Sequence, residues 1–312
     1  MKRIIAFILF AFAACTVSFS QETLDGGPEI IRPSGPPLLE RSMSTVCDGM
    51  EQSYCMYPGV FVGLGGSVNS VQLDQRTSGV ASAEVFSDST LVASGDAGGA
   101  APVYHATLNT LAPVAQAGFF RNFSSDWSWG SKFTYKYLGL TFTNPDVFSA
   151  QPSTLTPTGP DTFLGRTVAQ SSQFTINHQM SLMYFLGHSF DRGRVYLGGG
   201  PVVFSTVQRI NQLTSYADVN GVHSEVTGTP VNLTGSTWMW GGGAQIGANY
   251  YLGPSCFLDV SYDIVATGWY SKSFTAPFTS DSGGFTETGT VNVTTSNRLT
   301  AQSFMLTFNT IF

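Results

Sequence analysis

Charge is scarce in this chain, so the few charged residues that repeat at a fixed interval draw the eye: Lys132 and Lys136 are one such pair, Asp259 and Asp263 another. On a β-strand, residues separated by an even number share a face, so each pair projects from one side of its strand. Two ammonium groups meeting two carboxylates can form ion pairs, or can pass protons or ions if water reaches them. In a narrow enclosure such charges more often pair. The other candidates for chemistry are His105, His178, His188 and His223. A catalytic base must reach a nucleophile, and hydroxyls are so abundant here that one near a histidine says little. There is no Gly-x-Ser-x-Gly elbow and no cluster with metal-ligand spacing, so no catalytic, cofactor or metal site is expected.

Cysteine is sparse. Cys47 and Cys55 bracket a short segment and can form a disulfide in an oxidising compartment. A metal reading of that pair lacks a nearby His or a second Cys pair. Cys256 reads as a small apolar thiol on the apolar phase of its strand. The runs Gly198-Gly199-Gly200 and Gly241-Gly242-Gly243 lie within strand-like sequence rather than strand-to-helix turns, so they are not phosphate cradles.

The elements that must position these residues begin after a secretory start. Residues 1–20 combine Lys2 and Arg3, an apolar run from Ile4 to Ala14, and small Ser18 and Ser20, which reads as a signal peptide cut before Gln21. The alternative is lipidation at Cys15, following Ala13-Ala14, with Phe12 where such signals usually carry Leu. Residues 21–57 hold Gly26-Gly27-Pro28, Pro33, Pro36-Pro37 and six acidic residues, the mark of an extended periplasmic leader without a core of its own. No later segment offers the roughly 18 consecutive apolar residues a spanning helix needs.

From Pro58 to Phe312 the signal is alternation. Trp127, Trp129, Phe133, Tyr135 and Tyr137 share one face of WSWGSKFTYKYLGLTF, while Lys132, Thr134 and Lys136 share the other. Trp238, Trp240, Ile246, Tyr250 and Leu252 likewise oppose Thr237, Gln245 and Asn249. Val60–Val71, Gln173–Leu186, Arg194–Gln208, Cys256–Thr267 and Arg298–Phe312 repeat the pattern. The stretch Thr107–Arg121 does not keep one phase, and Pro113 suggests a bulge or an edge-like kink there. Between these segments, short turns (Asn122–Asp126, Gly187–Gly193, Gly253–Ser255) alternate with long polar connections (Asp74–Tyr104, Asn144–Ala169, Arg209–Leu233, Ser271–Asn297). The expected fold is therefore all-β: an eight-stranded antiparallel up-and-down transmembrane β-barrel with four long, mobile extracellular loops and both ends on the short-turn side. Aromatics near the strand ends, among them Trp127, Trp129, Trp238, Trp240, Tyr250, Tyr251, Trp269 and Tyr270, suit interfacial girdles.

Composition supports lipid as the solvent of the outer face. Charged residues make up 11% and aromatics 13%, against roughly 25% charged in ordinary soluble domains. A soluble lipocalin-type barrel would alternate too, but with its apolar face inward. Here Lys132, Lys136, Gln245, Asn249, Asp259 and Asp263 fall on the non-aromatic face, which requires a hydrated or ion-paired lumen. The segments Trp127–Phe142 and Cys256–Thr267 are the third and seventh of the eight and lie half a circumference apart, so Lys132 and Lys136 are expected to reach Asp259 and Asp263 across the lumen and plug it. The formal charge is −6 without a basic cluster beyond the first residues, which argues against nucleic acid as a partner.

GVFVGLGGSVNSV at Gly59–Val71, RVYLGGGPVVF at Arg194–Phe204, WGGGAQIGANYYLG at Trp240–Gly253 and the terminal FMLTFNTIF resemble the small bacterial outer-membrane β-barrel family that includes OmpA-like and opacity-type surface proteins. The resemblance covers Pro58–Phe312 and specifies architecture more than activity. It implies outer-membrane lipid and the barrel-assembly machinery as partners, with Phe312 as the aromatic assembly signal. The Pro-rich leader and the long connections depart from the compact family pattern. The expected role is structural or adhesive, a surface antigen-like protein whose loops meet a host or cell-surface ligand, and not an enzyme. A narrow porin-like channel and a lipid-modifying enzyme are the alternatives.

Overall fold

A computed structural model of the chain describes residues 59–124, 126–150, 156–157, 163–219, 222–225, 230–282 and 284–312. The segments read above as signal peptide and leader, with Cys15, Cys47 and Cys55, lie outside the described residues, as does the side chain of His223.

Eight strands close a ring: β1 (Gly59–Ser87), β3 (Tyr104–Asn122), β4 (Trp127–Ala150), β6 (Phe163–Phe190), β7 (Gly193–Val219), β9 (Val231–Gly253), β10 (Cys256–Thr267) and β12 (Phe285–Ile311). Each pairs antiparallel with its sequence neighbour in the ring, and β1 closes on β12 from Phe61↔Ile311 to Ser87↔Phe285. Closure removes the free edges that an open sheet would expose. Four further strands, β2 (Thr90–Ala100), β5 (Thr156–Pro157), β8 (Val222–Glu225) and β11 (Tyr270–Ser282), stand at the end away from the short connections. The described residues include no helix.

These extra strands occupy segments expected to be loops. Asp74–Tyr104 and Ser271–Asn297 are hairpin walls, with β2 continuing beside β1 where β3 leaves off and β11 continuing beside β12 where β10 ends. Thr, Ser and Gly dominate there, and read as loop composition. Yet alternating Val and Phe such as Val291, Val293, Phe274 and Phe278 have an inward side to bury, and that decides for strand.

Two ladders on opposite sides of the ring stop early. The β3–β4 ladder ends at Val114↔Lys136, one residue short of Pro113, which has no N–H to donate. The β9–β10 ladder ends at Gly241↔Thr267. Past those points the wall divides into a β2-β1-β12-β11 sheet and a β4-β6-β7-β9 sheet. Ala81, Phe274, Phe278, Val291 and Val293 of the first meet Val147, Ala169, Ile210 and Leu213 of the second in one apolar cluster. The molecule is thus a barrel carrying a two-sheet head. Side chains bridge both slits: Tyr104 Oη donates to Thr143 O (3.0 Å) and Thr110 Oγ1 to Leu138 O (3.4 Å) on one side, while Lys272 Nζ donates to Ser236 O (2.6 Å) and Trp240 N to Tyr270 Oη (2.8 Å) on the other.

Pro113 produces no bulge against β1, whose register with β3 is unbroken. The irregularities fall elsewhere. One lies between Tyr137 and Leu140, where Gly139 adopts φ +58°, a conformation that L side chains resist.

Candidate functional site

The outward residues of the ring are apolar: Val60, Val62, Leu64 and Val68 on β1, Phe133 and Tyr137 on β4, Leu197 on β7, Ile246 and Leu252 on β9, and Phe304 and Leu306 on β12 are all exposed. Trp127, Trp129, Trp238, Trp240, Tyr250 and Trp269 are exposed on the same surface. Tyr251 departs from that set, because its odd position on β9 turns it into the lumen. Phe312 follows β12, is 78% exposed, and its N–H donates to Val60 O at 2.9 Å.

The lumen is filled in layers. At the short-connection end Phe61, Phe120, Phe185, Tyr196, Tyr251 and Phe257 form an aromatic plug. Two glycines make room for it. A Cβ on Gly247 would collide with the Tyr196 ring, and one on Gly187 would meet Arg194 Cδ at 2.8 Å.

Above the plug lies the charge layer. Lys132 Nζ is 2.8 Å from Asp259 Oδ2 and 2.7 Å from Tyr196 Oη, and Tyr196 donates to Asp259 Oδ1 at 2.7 Å. Gln116 Nε2 adds a bond to Asp259 Oδ2 at 3.3 Å. Lys136 Nζ lies 3.0 Å from Asp263 Oδ2 and 3.3 Å from Oδ1. Strands β4 and β10 thus bring all four charges together across the barrel, each buried to 1–2% exposure. Thr134, Gln179, Gln245 and Ser303, neighbours of this second pair along strand or ladder, keep buried polar atoms without a protein partner.

Higher still the lumen turns apolar, against the expectation of a polar interior. Leu138, Leu140, Phe142, Phe174, Ile176 and Phe204 pack with Val71, Leu73 and Leu299 in a closed cluster. A ring of amides caps it: Gln75 Nε2 donates to Asn297 Oδ1 (2.9 Å) and Gln208 Nε2 to Ser172 Oγ (2.7 Å). The inward phase that holds Lys132 and Lys136 runs on through Leu138, Leu140 and Phe142, and these side chains fill it. Arg194, which sequence reasoning passed over as a strand start, sits in the plug with its guanidinium 4.3 Å from the centre of the Phe120 ring.

The three histidines with described side chains do not converge. His178 Nδ1 is 2.9 Å from Tyr135 Oη on the outer wall, and His188 packs edge-on against Trp127. His105 Nδ1 is 2.6 Å from Asp74 Oδ1, whose other oxygen accepts from Arg298 at 2.6 Å. Among the described residues no group of three His, Cys, Asp or Glu side chains could hold a metal. Cys256 is not the free thiol expected. It is buried and disulfide-bonded, with its partner outside the described residues. A bulge between Cys256 and Phe257 accompanies this departure from the outward phase.

No protein-family model and no curated protein matches the chain. Solved structures similar to it include the following three. Ail, the attachment invasion locus protein of Yersinia pestis, is 12% identical, with 80% of this chain and 99% of that one covered and a TM-score of 0.29. Neisserial surface protein A is 12% identical over 77% and 97%, at 0.26. The outer membrane protease OmpT of Escherichia coli is 10% identical over 83% and 100%, at 0.33. All are small outer-membrane β-barrel proteins. At these scores the assignment of fold rests on the chain's own register: this is an antiparallel eight-stranded β-barrel.

Proposed function

We propose that the chain is a bacterial outer-membrane barrel with a structural or adhesive role, acting through its two-sheet head rather than through its lumen. The observation that carries this reading is the division of labour along the axis. The ring has an apolar outer face that only lipid satisfies, and its interior is filled from the aromatic plug to the amide ring. Above it the strands continue into a packed head offering ladder edges and polar Thr- and Ser-rich faces to the outside. The short connections face the periplasm, and the head faces the outside of the cell. Outer-leaflet lipid is the partner of the band, and a host, matrix or cell-surface molecule is the partner of the head. The role is not catalytic.

The channel reading is disfavoured by the apolar cluster that seals the lumen above the charges. Two measurements test the proposal together. Cells displaying the chain should adhere to host-cell or matrix surfaces, and replacing residues 77–101 by a short turn should abolish adhesion while the barrel still assembles. Purified protein in planar bilayers should show no large, steady conductance. Adhesion that survives loss of the head, or conductance that changes with Lys136→Ala, would overturn it.

A further inference from the structure

We propose that a phosphate group of an outer-leaflet lipid docks on the outer wall against Arg76 and Arg298, beside Trp269. The inference rests on the outer-membrane placement proposed above and adds a headgroup site to it. Its height is set by the amide ring that caps the lumen, where Gln75 Nε2 donates to Asn297 Oδ1 at 2.9 Å and to Gln208 Oε1 at 3.3 Å. Successive residues of a strand point to opposite faces. The chain neighbours of these amides, Arg76, Arg298 and Arg209, therefore stand outside the wall at about the same level, and all three are exposed.

That level is the upper rim of the apolar band. Val68, Ile264 and Phe304, below it on the same side of the barrel, are exposed and apolar. Trp240 and Trp269 are exposed at the rim itself, where Trp240 N–H donates to the hydroxyl of Tyr270 and Tyr270 pairs with Asn297. Indole rings settle where lipid tails give way to headgroups. Lipid phosphates lie at that depth.

Two of the three arginines converge there. The guanidinium carbons of Arg76 and Arg298 are 4.3 and 5.0 Å from the centre of the Trp269 ring. Cations gathered at one ring repel each other, and an anion shared between them offsets that repulsion. Asp74 serves Arg298 in this way: its Oδ2 accepts from Nε at 3.1 Å and Nη2 at 2.6 Å, and its Oδ1 lies 2.6 Å from His105 Nδ1. The carboxylate orients Arg298 without covering it, since that side chain remains 46% exposed while Asp74 is 6% exposed. Arg76 is placed by the indole ring. Both guanidinium groups thus offer N–H donors to the headgroup layer from fixed positions, and guanidinium geometry matches phosphate oxygens. A sulfated glycan offers similar oxygens, but the cluster stands at the tryptophan rim and not on the head, which favours lipid. Arg209 is across the ring on β7 and serves as the control.

The test uses the full-length barrel in uncharged detergent, read by native mass spectrometry. Diphosphorylated lipid A should remain bound as a one-to-one adduct, and its dephosphorylated form should not. Arg76→Gln and Arg298→Gln should each weaken the adduct about tenfold or more, whereas Arg209→Gln should leave it unchanged. Arg76→Gln preserves the Asp74–Arg298 pair, so the inference stays testable if Arg298→Gln fails to assemble. No phosphate-dependent adduct, or an equal loss with Arg209→Gln, overturns the proposal. Tighter binding of inorganic phosphate or of a heparin fragment to the same arginines also overturns it, by making the site one for a free anion or a glycan. Surface labelling of intact cells reports outer-membrane assembly separately. A barrel that assembles there but holds no lipid A defeats this inference and leaves the proposed role standing.

Discussion

Lys136 and Asp263 face each other with both side chains 1% exposed, so removing either partner strands the other. Lys136→Met or Asp263→Leu should each cost about 3–5 kcal/mol, and the two replacements combined should cost far less than the sum of the single losses. Urea unfolding in detergent measures this, and additive losses would mean that the pair is not coupled. Glu287 offers a second residue-level test, in the head and outside the lipid band. Burial pushes its carboxyl up to about 7 from 4.5. The folded state then binds the proton more tightly than the unfolded chain. Its stabilising contribution is full below about pH 4.5 and is lost as pH rises through about 7. Glu287→Gln should flatten the fall in stability over that window, measured by thermal unfolding at several pH values. Lys132, Lys136, Asp259 and Asp263 were legible in the sequence because period two fixes the face of each. Arg194 was not, because nothing in its local sequence shows that Phe120 and Phe185 come to enclose its guanidinium.

At the scale of elements, the short connections and inward phases were readable, and the ends of the strands were not. Polar Thr- and Ser-rich segments lie within reach of either state, and their strand character depends on finding a facing sheet. Phe278 is buried in the head against that sheet. Phe278→Ser should remove about 3 kcal/mol of local packing. Limited proteolysis should then cut the head while the ring stays resistant, whereas collapse of both together would show that they are one cooperative unit. Gly139 tests the wall itself. Its φ of +58° means that Gly139→Val should cost about 1–2 kcal/mol, and a neutral effect in urea unfolding would show that the bulge can be remodelled.

For the whole molecule, sequence and tertiary structure decided different things. An outward apolar phase, scarce charge and strictly alternating short and long connections determined an eight-stranded barrel, because these are properties of each strand and its neighbours. Local pattern also placed Lys132, Lys136, Asp259 and Asp263 inside. It could not say how far the strands run, where the ladders part, or what fills the lumen. Those depend on residues distant in the chain: Pro113 ending a ladder, two sheets meeting across an apolar seam, and Cys256 drawn into a disulfide. Burial and charge balance are sums over the whole enclosure. Only the closed barrel shows which side chains share that enclosure.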